Sequence, residues 1–474
     1  MPKKLYENHV SLFALSNFFD LSSAVSFFDI IRVTLRKEDE IMAEKKLLSP
    51  SVIYLLGINS IIGSGIFLLS GKIYRDAGTW SLLAILLAGL SIFVIAFSYA
   101  NMSKLYPENG GAFIYAKAVF GRFVGFIVGM VTWLLGTVTM ATEVSALLTA
   151  IKMISPNINT RMIGVVLLVI LGIISCFGSA IISVLDNVTS LIKVLIVVVF
   201  IVTTIWLVKL ANFNFAPLAT SSFPTTLTGF LSAYGTVFFF FTGFSFLPVN
   251  AEKMKNPAKN LPKIMSFVMV TCIAIYLIIQ GITIGVLGHH LPDTIVPAAT
   301  IFSEVVGAIG IPLFVISVCW SIFGVIVATT FNTPTILSSL ALDHEDVPLL
   351  VARKNRFGSP VLAVILTIVV GICLFLTGNY VFLSGLTVFM SFVQYLSTGL
   401  ANIKAKYRWI GSGTVLFSLI LLASFTPRVL LFGVSFIVIL SVIYLFVKVD
   451  DAHLEKIKQQ KKLLKERHAN HGKN

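Results

Sequence analysis

Apolar runs of roughly twenty residues recur along most of this chain, separated by short charged connections. A run of that length crosses a bilayer as a helix, and lipid leaves a backbone few other ways to pair its polar groups. Twelve runs are read near 50–73, 80–105, 123–151, 162–182, 185–210, 227–250, 264–287, 311–340, 361–377, 380–401, 410–424 and 429–447. Charged residues make up 12% of the chain, and apolar ones 57%. Soluble domains carry about 25% charged residues, so a soluble globular class is excluded. The expected fold class is an all-α polytopic membrane protein with twelve transmembrane helices.

Domain organisation follows from the charges. Residues 42–450 form the expected helical domain, and 451–474 a basic tail. Leu454, Ile457, Leu463 and Leu464 give that tail a helix-like apolar spacing, which suits a short amphipathic helix or a solvated tail. Residues 1–41 stand apart, because Asp20, Asp29 and Arg32 interrupt their apolar stretch. This extension is expected to be non-native, with translation starting at Met42, since Lys37-Glu38-Asp39 is encodable as a bacterial ribosome-binding sequence. An amphipathic surface helix is the other reading.

The formal net charge is +14. Its Lys and Arg residues gather in alternate connections, such as Lys253, Lys255, Lys259 and Lys263, then Arg353, Lys354 and Arg356, then Lys404, Lys406 and Arg408. This bias predicts that both termini face the cytoplasm of a bacterial cell membrane. It suits contact with membrane lipids and gives no reason to expect nucleic acid as a partner. Cys176, Cys272, Cys319 and Cys373 lack metal-ligand spacing and are expected to be buried inert thiols. No metal or organic cofactor motif occurs.

Two spans carry breakers. In the first, Ile61-Ile62-Gly63-Ser64-Gly65-Ile66-Phe67 places two glycines around a serine where leucines would be ordinary. Glycine weakens a helix by about 1 kcal/mol relative to alanine. A helix that opens here frees N–H groups at a positive half-helix end, which suits an anion such as a substrate carboxylate. Close helix packing is the competing reading of Gly63 and Gly65. In the sixth span, Phe238 to Phe241 lead into Thr242-Gly243-Phe244-Ser245-Phe246-Leu247-Pro248. Interruptions in spans one and six predict a five-plus-five inverted repeat with broken helices 1 and 6, plus two extra C-terminal helices.

These residues resemble the amino acid–polyamine–organocation family. Gly63-Ser64-Gly65-Ile66-Phe67 is similar to its first-helix signature, and Phe240-Phe241-Thr242-Gly243-Phe244 to its sixth-helix break. Glu252-Lys253-Met254-Lys255-Asn256-Pro257 with Leu261-Pro262, the loop Pro107–Tyr115, and Arg356-Phe357-Gly358-Ser359-Pro360 match in the same order. The resemblance implies a non-enzymatic secondary transporter of amino acids, sodium-independent, working by proton symport or exchange through alternating access. An antiporter of an amino acid against its amine product and a non-transporting sensor are the alternatives.

The implied substrate-binding residues are Ile62, Gly63, Ser64 and Gly65 for a carboxylate, and Phe239, Thr242, Gly243 and Ser245 at the second break. Lys193 is the implied coupling residue, standing where sodium-coupled relatives hold the ion. A lysine well inside a span is a functional expectation by default, and snorkelling is its alternative. Glu143 is expected to make a polar contact to substrate or to a neighbouring helix. Ser245 stands where many relatives carry an acid, which favours neutral substrates. The implied partners are an amino acid and a proton; the sequence sets no oligomeric state.

Overall fold

The computed structural model describes residues 50–106, 111–177, 180–215, 227–245, 247, 257–343 and 347–447. The extension 1–41, the tail 451–474 and the loop around His344 lie outside these residues. So does most of the second half of the sixth span.

The elements formed by the described residues are all helices, with no strand among them. The first span is divided into α1 (Pro50–Ile61), α2 (Gly65–Leu68) and α3 (Ser70–Ala77). Then come α4 (Ser81–Leu105), α5 (Ala112–Phe120), α6 (Arg122–Ile151), α7 (Thr160–Ser175) and α8 (Ala180–Thr204). The sixth span begins as α9 (Leu227–Phe240), followed by a single 3-10 turn, Thr242–Ser245. The rest are α10 (Pro257–Leu287), α11 (Pro297–Val306), α12 (Gly310–Asp343), α13 (Val361–Thr377), α14 (Tyr380–Lys404), α15 (Arg408–Leu422) and α16 (Pro427–Val447).

Local chemistry sets several of these boundaries. Asn159 Oδ1 caps α7 by accepting from Met162 N at 3.1 Å, and Asn379 Oδ1 caps α14 by accepting from Phe382 N at 2.9 Å. Gly121 turns the chain between α5 and α6 at φ 87°, a conformation that excludes most side chains. The α10 helix starts seven residues earlier than the run 264–287, because Pro262 falls in its first turns, where a missing N–H matters little. The run 162–182 ends as helix at Ser175. The α5 and α11 helices were not foreseen, being too short for the apolar-run criterion.

Among the described residues, six helical segments are long and apolar enough to cross a membrane: Ser70–Leu105, Arg122–Ile151, Asn260–Asp293, Gly310–Leu342, Tyr380–Lys404 and Pro427–Phe446. The α14 helix is the most enclosed of them and α16 the least. Met162, Val166, Ile170 and Ile173 form an exposed apolar face on α7, as a lipid-facing helix requires. Trp206 and Trp409 stand far out of the bundle, in the manner of interfacial anchors. One expectation is corrected here: Cys272 is buried, but Cys373 is exposed on α13. An apolar helix facing lipid needs no protein around its thiol.

Candidate functional site

The first break opens where the glycines lie. Helix α1 ends at Ile61, and the chain resumes helical form at Gly65. Among the described residues no backbone carbonyl accepts from the N–H groups of Gly63 or Ser64, whereas the Ser64 carbonyl takes Phe67 N and Leu68 N. Both glycines are closely approached by side chains of other helices. A Cβ on Gly63 would lie 2.9 Å from Glu143 Oε1, and one on Gly65 would lie 2.5 Å from the Phe240 ring. The Ser64 hydroxyl is fully buried and shares a 2.9 Å hydrogen bond with the Tyr380 hydroxyl of α14.

The second break is tighter. Helix α9 stops at Phe240, and 3-10-type bonds carry the chain on: Phe241 N to Phe238 O at 3.1 Å and Phe244 N to Phe241 O at 3.2 Å. Thr242 Oγ1 donates to Phe239 O at 3.0 Å. Gly243 sits directly on the Ser60 carbonyl of α1, where an added Cβ would be only 1.7 Å from that oxygen. The two breaks therefore touch backbone to backbone.

One side chain serves both. The Tyr276 hydroxyl of α10 donates to Phe240 O at 2.8 Å and lies 3.2 Å from Ile61 O. Ile61 and Phe240 are the last residues of their half-helices, so this hydroxyl meets the carbonyl ends that the interruptions strand.

Between the breaks lies a small cavity. Of the expected residues, Gly63, Gly65, Phe239, Thr242, Gly243 and Glu143 line it. Ile62 and Ser64 are buried behind the lining, and Ser245 turns to its own backbone, with Oγ 3.5 Å from Thr242 O. Leu135, Thr139, Val325 and Thr329 complete the wall from α6 and α12. Sequence reasoning missed these, although Leu135 and Thr139 lie eight and four residues before Glu143, on one helix face. Glu143 is 3% exposed, with Ser64 and Lys193 as its polar neighbours. Among the described residues its Oε2 has no hydrogen-bond partner.

Residues 48–454 match the amino acid permease family profile. The chain belongs to the amino acid permease family. It is 28% identical to an uncharacterized transporter of Mycobacterium tuberculosis over 382 residues, covering 74% of this chain and 78% of the relative. It is 28% identical to cationic amino acid transporter 9 of Arabidopsis thaliana over 53% of this chain and 47% of that protein. A methylthioribose transporter of Bacillus subtilis is 28% identical over 54% of this chain and 58% of its own length. The permease is thus a multi-pass membrane protein among transporters.

Lys193 lies outside this permease's cavity. Its side chain is 1% exposed, so it does not snorkel, and Nζ donates to Asn59 O at 3.0 Å. The lysine on α8 thereby holds the last turn of α1 just before the break. On the other side of the break, α3 is braced to α9. Lys72 Nζ donates to Asp76 Oδ2, to Ser232 Oγ at 3.2 Å and to Thr236 Oγ1 at 2.9 Å, while Ser232 Oγ donates to Asp76 at 2.7 Å. Arg75 reaches the Pro292 carbonyl. The partly buried Lys72 network was missed because its partners are 160 residues apart in sequence.

Proposed function

We propose that this permease is a secondary transporter carrying amino acids across the cell membrane by alternating access. In this reading the fold is the twelve-span, five-plus-five inverted repeat with broken helices 1 and 6, and both termini are cytoplasmic. The observation that carries it is the meeting of two interrupted helices around one cavity, with Gly243 on the Ser60 carbonyl. The Gly63 N–H, which no backbone carbonyl takes, suits a carboxylate, and the carbonyl-rich end of α9 suits an amino group. A zwitterion satisfies both ends.

Sodium independence has its support in Lys193. A buried ammonium on the end of α1 supplies the fixed positive charge that a bound sodium ion would otherwise bring. Proton coupling has support in Glu143. A substrate carboxylate entering beside this buried carboxyl would repel it, and one proton shared by the pair removes that repulsion. The relatives include a cationic amino acid transporter and a methylthioribose transporter. An amino acid is preferred here because a thioether sugar has no charged pair to use both halves of the site.

The test is flux in proteoliposomes loaded with set gradients of pH, sodium and amino acid. Uptake is expected to rise with an inward proton gradient or with internal amino acid, and to be unchanged when choline replaces sodium. Lys193→Ala is expected to lose concentrative uptake. Saturable amino acid binding with no flux under any gradient would turn the reading to a sensor, and sodium-driven uptake would remove the role given to Lys193.

A further inference from the structure

A second polar region lies away from the cavity, along the seam between α4 and α14. On α14, Gln394, Tyr395, Thr398 and Asn402 follow one another at helix-face spacing. On α4, Ser98 and Asn101 stand one turn apart. All six are at least nine-tenths buried. The helices touch through Asn402 Nδ2, which donates to Ser98 O at 3.1 Å, and through the Tyr99 hydroxyl, 3.3 Å from Gln394 Oε1.

Yet six polar atoms here make no well-formed hydrogen bond among the described residues, although Ser391 lies near Tyr395 and Tyr99 near Thr398: Ser98 Oγ, Asn101 Nδ2, Gln394 Nε2, Tyr395 OH, Thr398 Oγ1 and Asn402 Oδ1. Bare, they would offset a large part of the stability of a typical domain. The other half of α14 shows what a dry polar face looks like. There Ser384, Thr387 and Ser391 each donate to a carbonyl three or four residues back.

We infer that the α4–α14 seam is a binding site for a small cluster of ordered water molecules. The orphan set mixes amide donors with oxygen acceptors. A bare cation satisfies only the acceptors and is repelled by the two N–H groups, whereas water serves both. A buried water makes about three hydrogen bonds, so six atoms call for about two waters. The location gives the water a role. The α4 helix packs chiefly on α9 and α10, and α14 on α6 and α15. A watered seam between these groups can exchange partners as the helices shift, which direct side-chain pairs cannot do without breaking.

Hydroxyl-radical labelling of the substrate-free permease tests this independently of what it transports. Tyr395 and Tyr276 are each 1% exposed, but the Tyr276 hydroxyl is paired with carbonyls. Tyr395 is expected to label several-fold faster than Tyr276, and equal slow rates overturn the proposal. On rapid mixing into oxygen-18 water, the heavy label at Tyr395 is expected to lag that at the exposed Phe357. Simultaneous labelling would mean bulk entry and would equally overturn it. Thr398→Val gives a reading of opposite sign. From a watered seam it removes a bonded hydroxyl and lowers the melting temperature, whereas from a dry one it removes an orphan and raises it.

Discussion

The two helix breaks look alike in sequence, a glycine beside a hydroxyl residue within an apolar span, but they are held open differently. The first is held from outside. Tyr380 fastens the Ser64 hydroxyl, Lys193 holds Asn59 O, and Glu143 stands over Gly63. The second is held by its own turn, with Thr242 and Ser245 bonded to carbonyls three residues back. Its one external polar link among these contacts is Tyr276, which it shares with the first break. A break pinned by three other helices can respond to what those helices carry. One pinned by a local turn is a fixed surface against which the first can register.

The largest effect tests where the two breaks meet. In Gly243→Ala the new methyl would face the Ser60 carbonyl, a backbone atom that cannot turn aside. Overpacking of ordinary core sites costs about 1–3 kcal/mol, and this site is expected at or above the upper end. Loss of both flux and thermal stability is the expected outcome. Gly65→Ala meets only the edge of the Phe240 ring, a side chain with some freedom. It is expected to remain folded with reduced flux. Equal damage from both would mean that backbone contact between the breaks has no special weight.

Tyr276→Phe comes next. It leaves the Phe240 and Ile61 carbonyls without this donor in a dry place, which costs about 1–3 kcal/mol per stranded group. A lower melting temperature and weaker substrate protection against heat are expected together. A variant that loses stability but keeps the full substrate-induced shift would show that the shared hydroxyl is scaffolding alone.

These contrasts show what the chain reveals when read as letters. Both breaks were legible, because Gly63, Gly65 and Gly243 violate the leucine-rich habit of a membrane helix. So was the unusual burial of Lys193, since a charge in such a place is rare enough to mean something. Tyr276 was not legible. A tyrosine amid Ile273, Ile275 and Ile278 reads as one more apolar residue, and its importance lies in which two carbonyls it reaches. Thr329 and Val325 were hidden for the same reason. Ser245 shows the limit of such reading, because the resemblance implied a substrate contact there and the 3-10 turn points its hydroxyl back at Thr242. A pattern says that a helix stops; the direction of each side chain past the stop depends on the turn that follows.

Tyr380→Phe tests the external fastening of the first break alone. It removes one buried hydrogen bond of 2.9 Å and leaves the Phe239–Tyr380 ring contact in place. The expected cost is about 1 kcal/mol, or roughly fivefold in apparent substrate affinity, read by thermal shift titration. The ring should keep the fold intact, so affinity is expected to fall more than stability.

The smallest effect is the sharpest check on the second break. Ser245 makes one hydrogen bond, at 3.5 Å, to a carbonyl in its own turn, and it does not line the cavity. If that turn is self-supporting, Ser245→Ala removes a contact already at the limit of hydrogen bonding, and stability and flux both stay within about 0.5 kcal/mol of the parent. A tenfold fall in flux would require Ser245 to act on something beyond its turn, such as the substrate or a neighbouring helix. The second break would then be externally held like the first, and the division between a responsive break and a fixed one would be lost.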